Sequence, residues 1–420
     1  MFKKMISYVL VFTFFIGSVS MVGSTKGSAA ATSSDVPFTD IQTHWAKDNI
    51  MKAKKSGLID GFPDGTFRPD DVVKGDQFVS MMLRAFSDGN TKFDQAWLDS
   101  LITYQPGHLA TILSAVKETN FTFNNARSGY WATPFIDILY DMEFLHSFDS
   151  VFPEKYDVYK KQITREKASY LIGRWFTNYE DDFDSAYKDY VVSKSGLVDM
   201  NSFSNTDVRQ YRSVVLIAGL IRGWNNHFYP QRYVTRAEAL TMIQRLRDSS
   251  LRDPYKPDLT GQHYIELDGK TYMFSDQYKL DTYKKIVELA NKHVQKGYKA
   301  VGSLGVAVFD SKDTHDKRDF LIRFGEWDNL PLPEISVTVA EGSAKYIRMF
   351  FPNGETFANS KNFVDAAYEL LTGSGKGVEL KNKVVATVKN YSGKEMQFTL
   401  NNKKYKVVKV GDTFNVDYLY

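Results

Sequence analysis

The residues best suited to chemistry by type are acids and a histidine in the second half of the chain. Asp310, Asp313, His315, Asp316 and Asp319 lie within ten residues of one another. Carboxylates and imidazole at such spacing are possible metal ligands. The cluster lies between two predicted strands, Leu304 to Phe309 and Phe320 to Gly325, which favours a solvated hairpin loop over a metal site.

A second candidate is the pair Glu326 and Asp328. Residues two apart share a face of a strand, and two neighbouring carboxylates are the catalytic groups of most glycosidases. The pair follows a predicted strand end, which favours a solvated turn instead. The acidic run at residues 180–184 lacks the glycine and terminal glutamate of a calcium loop, so we interpret it as a loop or helix start.

No nucleophile elbow, phosphate-binding loop or His-Glu-x-x-His motif occurs in the sequence. The chain also contains no cysteine, which excludes disulfides and thiolate metal sites. The sequence predicts no cofactor and no metal, and it favours a protein that is not an enzyme.

The strongest pattern lies in the first half and occurs in three copies, each about fifty residues long. Its first copy predicts a helix over 46–56, a left-handed stop at Gly57, and turn chemistry in Gly61-Phe62-Pro63-Asp64-Gly65. An extended segment, 66–69, then leads to a second helix over 74–86. Repeats of this length usually stack to bury a shared core.

The third copy repeats the glycine stop at Gly219 and opens its second helix with Val234-Thr235-Arg236-Ala237-Glu238. Gly57 to Lys74 and Gly219 to Arg236 are both 17 residues apart, which predicts that Lys74 and Arg236 are equivalent. The second copy is weaker. It is marked by Tyr130-Trp131-Ala132, where the first has His44-Trp45-Ala46, and by Ile163-Thr164-Arg165-Glu166.

These motifs resemble the S-layer homology (SLH) domain of bacterial surface proteins, over about half of the chain. The resemblance implies three repeats in a mainly α, three-pronged helical bundle whose grooves bind a pyruvylated secondary cell-wall polymer. It also implies that the basic residues at the start of the second helices, Lys74, Arg165 and Arg236, face the anionic sugar. An arginine fork at a helix N-terminus suits a carboxylate.

The same resemblance adds four further candidates for polymer binding. Asp64 and Gly65 would line the first groove, and Trp45 and Trp131 would form groove walls, although core packing is favoured for both tryptophans. Lys74 keeps the charge of an arginine but lacks its two-donor fork. The Pro-Asp-Gly loop is missing from the second and third copies, so only one or two grooves are expected to bind well.

The N-terminus has the pattern of a secretory signal peptide. Lys3 and Lys4 precede an uncharged apolar run over 5–16, and small residues at 28–31 suit cleavage. The formal charge is +3, and removing Lys3, Lys4 and Lys26 leaves a chain of net zero charge. That balance argues against nonspecific nucleic-acid binding, although a local basic groove remains possible. No later segment is long and apolar enough to span a membrane.

After a proline-containing linker the pattern changes to short strands, a hairpin at Asp268-Gly269 and helices over 281–296 and 362–371. Strands are also predicted over 384–389 and near the C-terminus, which indicates an α+β domain with antiparallel strands. The predicted domain boundaries are 1–31 (signal), 38–86, 129–177 and 203–248 (repeats), 87–128 (helical insertion), 178–202 (connection), 249–259 (linker) and 260–420 (α+β domain).

The sequence therefore predicts a secreted protein of the cell wall or surface layer that is anchored noncovalently. Its partner would be the pyruvylated polymer or a peptidoglycan-linked glycan, with surface-layer assembly possible. No nucleic acid or membrane span is expected after signal cleavage. The alternative is a surface-displayed hydrolase of wall glycans or peptides, with catalysis in residues 260–420.

Overall fold

The computed structural model describes residues 38–86, 129–141, 144–146, 149–180, 182–323, 330–340, 342–353, 357–373 and 375–420. The predicted signal segment 1–31, the insertion 87–128 and the pair Glu326 and Asp328 lie outside these residues. No helix within the described ranges is long and apolar enough to cross a membrane.

The first half of the described chain is helical. Its helices are α1 (Lys47–Lys55), α2 (Gly75–Ala85), α3 (Thr133–Asp141), α4 (Tyr156–Tyr159), α5 (Arg165–Tyr179), α6 (Ser185–Lys194), α7 (Thr206–Arg209), α8 (Tyr211–Ile217) and α9 (Arg236–Arg247), followed by a 3₁₀ turn, Ser249–Leu251.

The predicted helix pair of the first repeat is confirmed. Helix α1 buries Ile50 and Ala53, and Gly57 ends it with a φ of +70°. Left-handed backbone is a common helix terminus, and glycine adopts it without steric cost. Gly219 does the same in the third repeat, with a φ of +71°.

The hydrophobic core of each repeat includes residues from another repeat. Phe38, Ile41 and Phe67 of the first repeat form a buried cluster with Ala237 and Leu240 of α9. A second, larger cluster joins α2, α3, α5, α8 and α9. Since no repeat buries its apolar face alone, the segments stabilise one another across large sequence distances.

The second half contains β1 (His263–Leu267), β2 (Lys270–Phe274), α10 (Gln277–His293), β3 (Tyr298–Val301), β4 (Gly305–Phe309), α11 (Lys312–Arg323), β5 (Ile335–Val339), β6 (Tyr346–Pro352), α12 (Lys361–Thr372), α13 (Gly377–Lys389), β7 (Met396–Leu400), β8 (Lys403–Val410) and β9 (Thr413–Leu419). The hairpin β1-β2 stands apart from a sheet of order β3-β4-β5-β6-β9-β8-β7. Every pairing is antiparallel, so the predicted α+β class is confirmed.

Local signals placed several of these elements correctly. Asp268 and Gly269, with φ of +50° and +78°, make the predicted two-residue hairpin turn. Helix α10 begins at Gln277 rather than the predicted 281, because the Asp276 carboxylate caps it by accepting from the backbone N–H of Lys279.

Two predicted strands are wrong. Residues 320–323 belong to α11, so the acidic cluster lies at the start of a helix and not in a hairpin loop. Residues 384–389 are the end of α13, where Leu380, Val384 and Thr387 are buried at helical spacing. A short apolar run fits either element, and helical packing on the core decides it here.

Candidate functional site

Three segments that lead into α2, α5 and α9 meet through a closed ring of backbone hydrogen bonds. The N–H of Val73 donates to Val234 O (2.9 Å), Val234 donates to Ile163 O (3.0 Å), and Ile163 donates to Val73 O (3.0 Å). Each residue thus donates its N–H and accepts at its carbonyl, so the three N–H groups and three carbonyls all have hydrogen-bond partners. The ring also makes these three positions structurally equivalent.

That equivalence corrects the predicted alignment by one residue. Lys74 is the N-cap of α2, as Thr164 and Thr235 are of α5 and α9. Gly75 therefore occupies the place of Arg165 and Arg236. The first loop is one residue longer than the third, which is why equal counting from the glycine stops gave the wrong partner.

The space around Gly75 also leaves little room for a side chain at this position. A Cβ placed on Gly75 would lie 3.1 Å from Tyr159 O and 3.2 Å from Tyr159 Cα, closer than ordinary van der Waals contact. Lys74 itself is exposed. The junction thus holds two buried or half-buried arginines rather than three equivalent cations.

Arg236 is half-buried and keeps part of its fork available. Its Nε donates to Phe67 O (3.0 Å), and its guanidinium lies over the rings of Phe62 (5.0 Å) and Phe67 (4.8 Å). Burial lowers the pKa of this guanidinium, with nearby Asp71 opposing the shift. No hydrogen bond of its terminal nitrogens is found in the described part of the chain, so they are free to meet an anion.

Arg165 occupies the matching position but is buried, with 2% of its surface exposed. Its Nε donates to Phe228 O (2.9 Å), and its terminal nitrogens donate to Arg222 O (2.8 Å) and Glu238 Oε1 (3.4 Å). Burial lowers the pKa of Arg165 to about 10, so it remains a cation at neutral pH. Its donors are already used within the protein.

Two aspartates that we did not predict hold the loops against these arginines. Asp40 accepts from the N–H groups of Phe67 (2.9 Å) and Arg68 (2.7 Å). Asp199 accepts in the same way from Phe228 (2.6 Å) and Tyr229 (2.7 Å). Asp40 follows Phe38-Thr39 and Asp199 follows Leu197-Val198, so an apolar residue two positions before the aspartate was the available signal. Asp199 also shows that the third repeat's structure begins within the predicted connection 178–202.

Asp64 and Gly65 shape the first loop. Asp64 accepts from the N–H (3.0 Å) and hydroxyl (2.6 Å) of Thr66 and from the Arg68 guanidinium (2.9 Å). Gly65 has a φ of +79°, and its carbonyl accepts from the N–H of Thr39 (3.1 Å). Both residues therefore have a clear conformational role in the loop beside Arg236.

The Thr66 hydroxyl, followed by Arg68, lowers the pKa of Asp64 to about 2. We expect Thr66→Ala to raise this pKa toward the ordinary value of about 3.9, as measured by carboxyl NMR titration. Thr39→Ala, whose hydroxyl contacts Gly65 O instead, is the control. Because the folded pKa is depressed, the Asp64 contribution to stability is present above about pH 4 and is lost as the pH falls through about 2. An unchanged Asp64 pKa in Thr66→Ala would contradict this account.

The two candidate tryptophans, Trp45 and Trp131, are exposed, so the expectation that they pack in the core is wrong. Trp45 is 64% exposed and Trp131 47%. Trp224, in the third loop, is 40% exposed and lies at the position of Phe62. The Arg165 guanidinium lies 4.8 Å from its ring, which matches the contact of Arg236 with Phe62. Large apolar side chains left in solvent commonly mark a binding surface.

A cavity of about 500 Å³ brings part of this set together. Trp45 and Asp70 line it from the first repeat, and Arg165 from the second. The third repeat contributes the remaining lining residues, namely Leu220, Ile221, Arg222, Gly223, Trp224, Arg232, Thr235, Glu238, Thr241, Met242 and Arg245. Lys74, Asp64, Gly65, Trp131 and Arg236 do not line it. The cavity is hereafter called the arginine groove.

Most arginines of the groove are paired. Arg222 contacts Asp253, and Arg232 contacts Glu238. Arg245 is half-buried, and its guanidinium has no hydrogen-bond or ion-pair partner in the described ranges. Burial lowers its pKa, against the attraction of Asp253. A guanidinium without a protein partner, in a cavity that two exposed indole rings also line, can bind a carboxylate-bearing sugar.

The acids of the second half form no comparable site. Among the described residues no group of three or more His, Asp or Glu side chains is placed to hold a metal ion. His315 contacts Asp316 (3.1 Å), and its ring packs against Tyr298 and Phe309. The acidic run near 180 is a helix start as predicted, because Asp184 caps α6.

Comparison with known proteins finds a family match for two segments of the first half. The family model of the S-layer homology domain matches residues 37–79 and 218–240. The chain carries S-layer homology domains. The matched segments contain both tryptophans of the arginine groove and both loops that pack on Arg165 and Arg236. S-layer homology domains anchor secreted proteins, so the location of this protein is the cell wall or cell surface.

Two relatives share parts of the chain. It is 27% identical over 157 residues to Cell surface glycoprotein 1 of Acetivibrio thermocellus, a match covering 37% of this chain and 6% of that protein. It is 24% identical over 240 residues to Amylopullulanase of Thermoanaerobacterium thermosulfurigenes, covering 56% of this chain and 11% of that protein. The chain thus spans a small fraction of either relative.

Proposed function

We propose that this protein is exported through its N-terminal segment and held on the cell wall by its S-layer homology half, which binds an anionic, pyruvylated secondary cell-wall polymer. Residues 260–420 would then be displayed as a structural or binding module. The observation that carries the proposal is the arginine groove, where Trp45 and Trp224 line the same cavity as Arg245, whose guanidinium has no protein partner among the described residues.

The chemistry of the groove suits this ligand class. A pyruvyl ketal carries a carboxylate, which accepts two parallel hydrogen bonds from a guanidinium. Exposed indole rings offer flat apolar surfaces for sugar rings. The ring of backbone hydrogen bonds at Val73, Ile163 and Val234 supports the three-pronged arrangement that we propose for the S-layer homology repeats.

We assign the candidate residues different parts in binding. Arg245 would contact a carboxylate inside the arginine groove, with Trp45 and Trp224 as its walls. The half-buried Arg236 does not line this cavity and would contact a carboxylate at the first loop instead. Arg165 would hold the third loop in place beneath the groove. Lys74, Asp64, Gly65 and Trp131 lie outside this cavity and would contribute only through other faces of the repeats.

Binding to purified wall sacculi tests the proposal. Arg245→Gln and Trp45→Ala should each weaken co-sedimentation of the full chain about tenfold, equivalent to ~1.4 kcal/mol. Lys55→Gln, an exposed charge change on α1, is the matched control and should bind as the parent does. Sacculi stripped of all their anionic polymers should bind neither parent nor variants.

Two results would count against the proposal. If the parent binds stripped sacculi equally well, the polymer is not the ligand. If Trp131→Ala weakens binding while Trp45→Ala does not, the groove lies beside the second repeat instead. Competition by pyruvylated oligosaccharide, but not by its depyruvylated form, would establish the role of the carboxylate.

A further inference from the structure

Positive charge is concentrated near the C-terminus. Residues 376–409 contain nine lysines and two glutamates, a net charge of +7, whereas the whole chain has a net charge of +3. The other residues of the chain together therefore carry −4. Such an asymmetry within one domain indicates an interaction with an anionic partner.

The fold brings these lysines to one end of the large sheet. They lie on α13, on the loop after it, and on β8, which pairs with the edge strand β7. Lys383 of α13 lies 5.8 Å from the ring of Phe398 in β7. The loop is tied to β8 because the N–H of Lys409 donates to the Tyr391 hydroxyl (3.1 Å). Helix and strand each extend about 20–25 Å.

Nearby acids are already engaged, apart from the exposed Asp412 in the turn between β8 and β9. Asp365 of α12 pairs with Lys381 (2.5 Å), Glu379 with Lys376 (3.1 Å), and Glu395 with Lys406 (2.9 Å). Glu369 accepts from the N–H groups of Gly375 and Gly377. On the neighbouring strand β9, the Asp417 carboxylate is held by Arg348.

Four exposed lysines on α13, on the loop after it and on the face of β8 that packs against the helices have no carboxylate partner in the described part of the chain, namely Lys383, Lys389, Lys394 and Lys409. We call these four residues the lysine surface. They line neither of the two main cavities of the described residues, so they suit a long polymer that lies on the surface better than a small ligand. Several like charges held on rigid elements reinforce one another in attracting a polyanion.

We propose that the lysine surface binds a linear polyanion of the cell wall, with closely spaced phosphate or carboxylate groups. The occupant follows from charge complementarity and from the location of the protein at the cell surface. This contact is separate from the arginine groove and does not depend on it. It gives residues 260–420 a role as a second attachment point, and two linked attachments hold far more tightly than either alone.

The test uses the full chain and two soluble probes, poly(glycerol phosphate) and poly-glutamate. The two probes distinguish phosphate from carboxylate. Because the arginine groove could also accept a carboxylate, Arg245→Gln is measured beside the lysine variant and should bind both probes as the parent does. The variant Lys389→Gln/Lys394→Gln/Lys409→Gln should bind at least one probe about tenfold more weakly in low salt. Parent binding should weaken steeply as salt rises, with a shallower dependence in the variant.

The matched control is Lys284→Gln/Lys285→Gln/Lys292→Gln, which removes three exposed charges from α10. It should bind like the parent. Equal loss in both triple variants, or no loss in either, would overturn the proposal. Tighter binding of an oligo-dT of matched charge would also overturn it, in favour of a nucleic-acid partner. If thermal unfolding shows that the triple variant is destabilised, Lys394→Gln/Lys409→Gln serves as the second variant.

Discussion

Replacing Arg165 with alanine should lower the free energy of unfolding by about 3–5 kcal/mol, because it breaks a buried charge network. The guanidinium supplies donors to Phe228 O, Arg222 O and Glu238. Its removal leaves buried carbonyls without partners and opens a cavity beneath the ring of Trp224. Denaturant unfolding followed by circular dichroism would measure the loss.

Arg236→Ala is the matched control, since the two arginines hold equivalent places. Arg236 is half-buried, and the hydrogen bond described for it is the one to Phe67 O. Its removal should cost about 1–2 kcal/mol. Arg165→Lys should fall between the two alanine variants, because it keeps the charge and loses the fork. Equal costs for Arg165→Ala and Arg236→Ala would show that burial does not separate their roles.

The second large effect is expected in the C-terminal sheet. Arg348 in β6 and Asp417 in β9 are cross-strand partners joined by two hydrogen bonds of 2.7 and 2.9 Å. The side chain of Asp417 is 3% exposed and that of Arg348 is 33% exposed. Arg348→Met should therefore destabilise the protein by about 3–5 kcal/mol, because it leaves a buried carboxylate unpaired.

The reverse change should cost less. In Asp417→Leu the remaining guanidinium can reach water, so we expect a loss of about 1–2 kcal/mol. The double variant Arg348→Met/Asp417→Leu should recover much of the stability lost in Arg348→Met, because it contains no unpaired buried charge. A smaller loss for Arg348→Met than for Asp417→Leu would contradict the assigned burial.

Local sequence signals predicted the elements whose cause is local. Gly57 and Gly219 end helices by adopting positive φ, and Asp268-Gly269 makes a tight turn. The conformations of these residues were predicted correctly because they depend on residue types within a few positions of the chain. The strands predicted over 320–325 and 384–389 failed because an apolar run of six residues does not specify its own period.

The candidate site illustrates the same division. The motifs identified Arg165 and Arg236 as a pair, and both lie at helix starts packed on a neighbouring loop. Counting residues paired Lys74 with them, whereas the backbone ring places Gly75 there. The sequence also did not predict how deeply each arginine is buried. Arg165 and Arg236 share a motif, but Arg165 is enclosed, whereas Arg236 is half-buried and its terminal nitrogens remain free to donate in the described part of the chain.

The amino-acid sequence was sufficient to establish repeats, the helix and turn boundaries around the glycines, the S-layer homology resemblance and the α+β class of the second half. Those properties depend on residue type and short spacing. The arginine groove, the one-residue register and the lysine surface required the folded chain. Each of these features brings together residues from distant segments of the chain. Short sequence spacing does not determine which distant segments pack together or which side chains stay exposed to solvent.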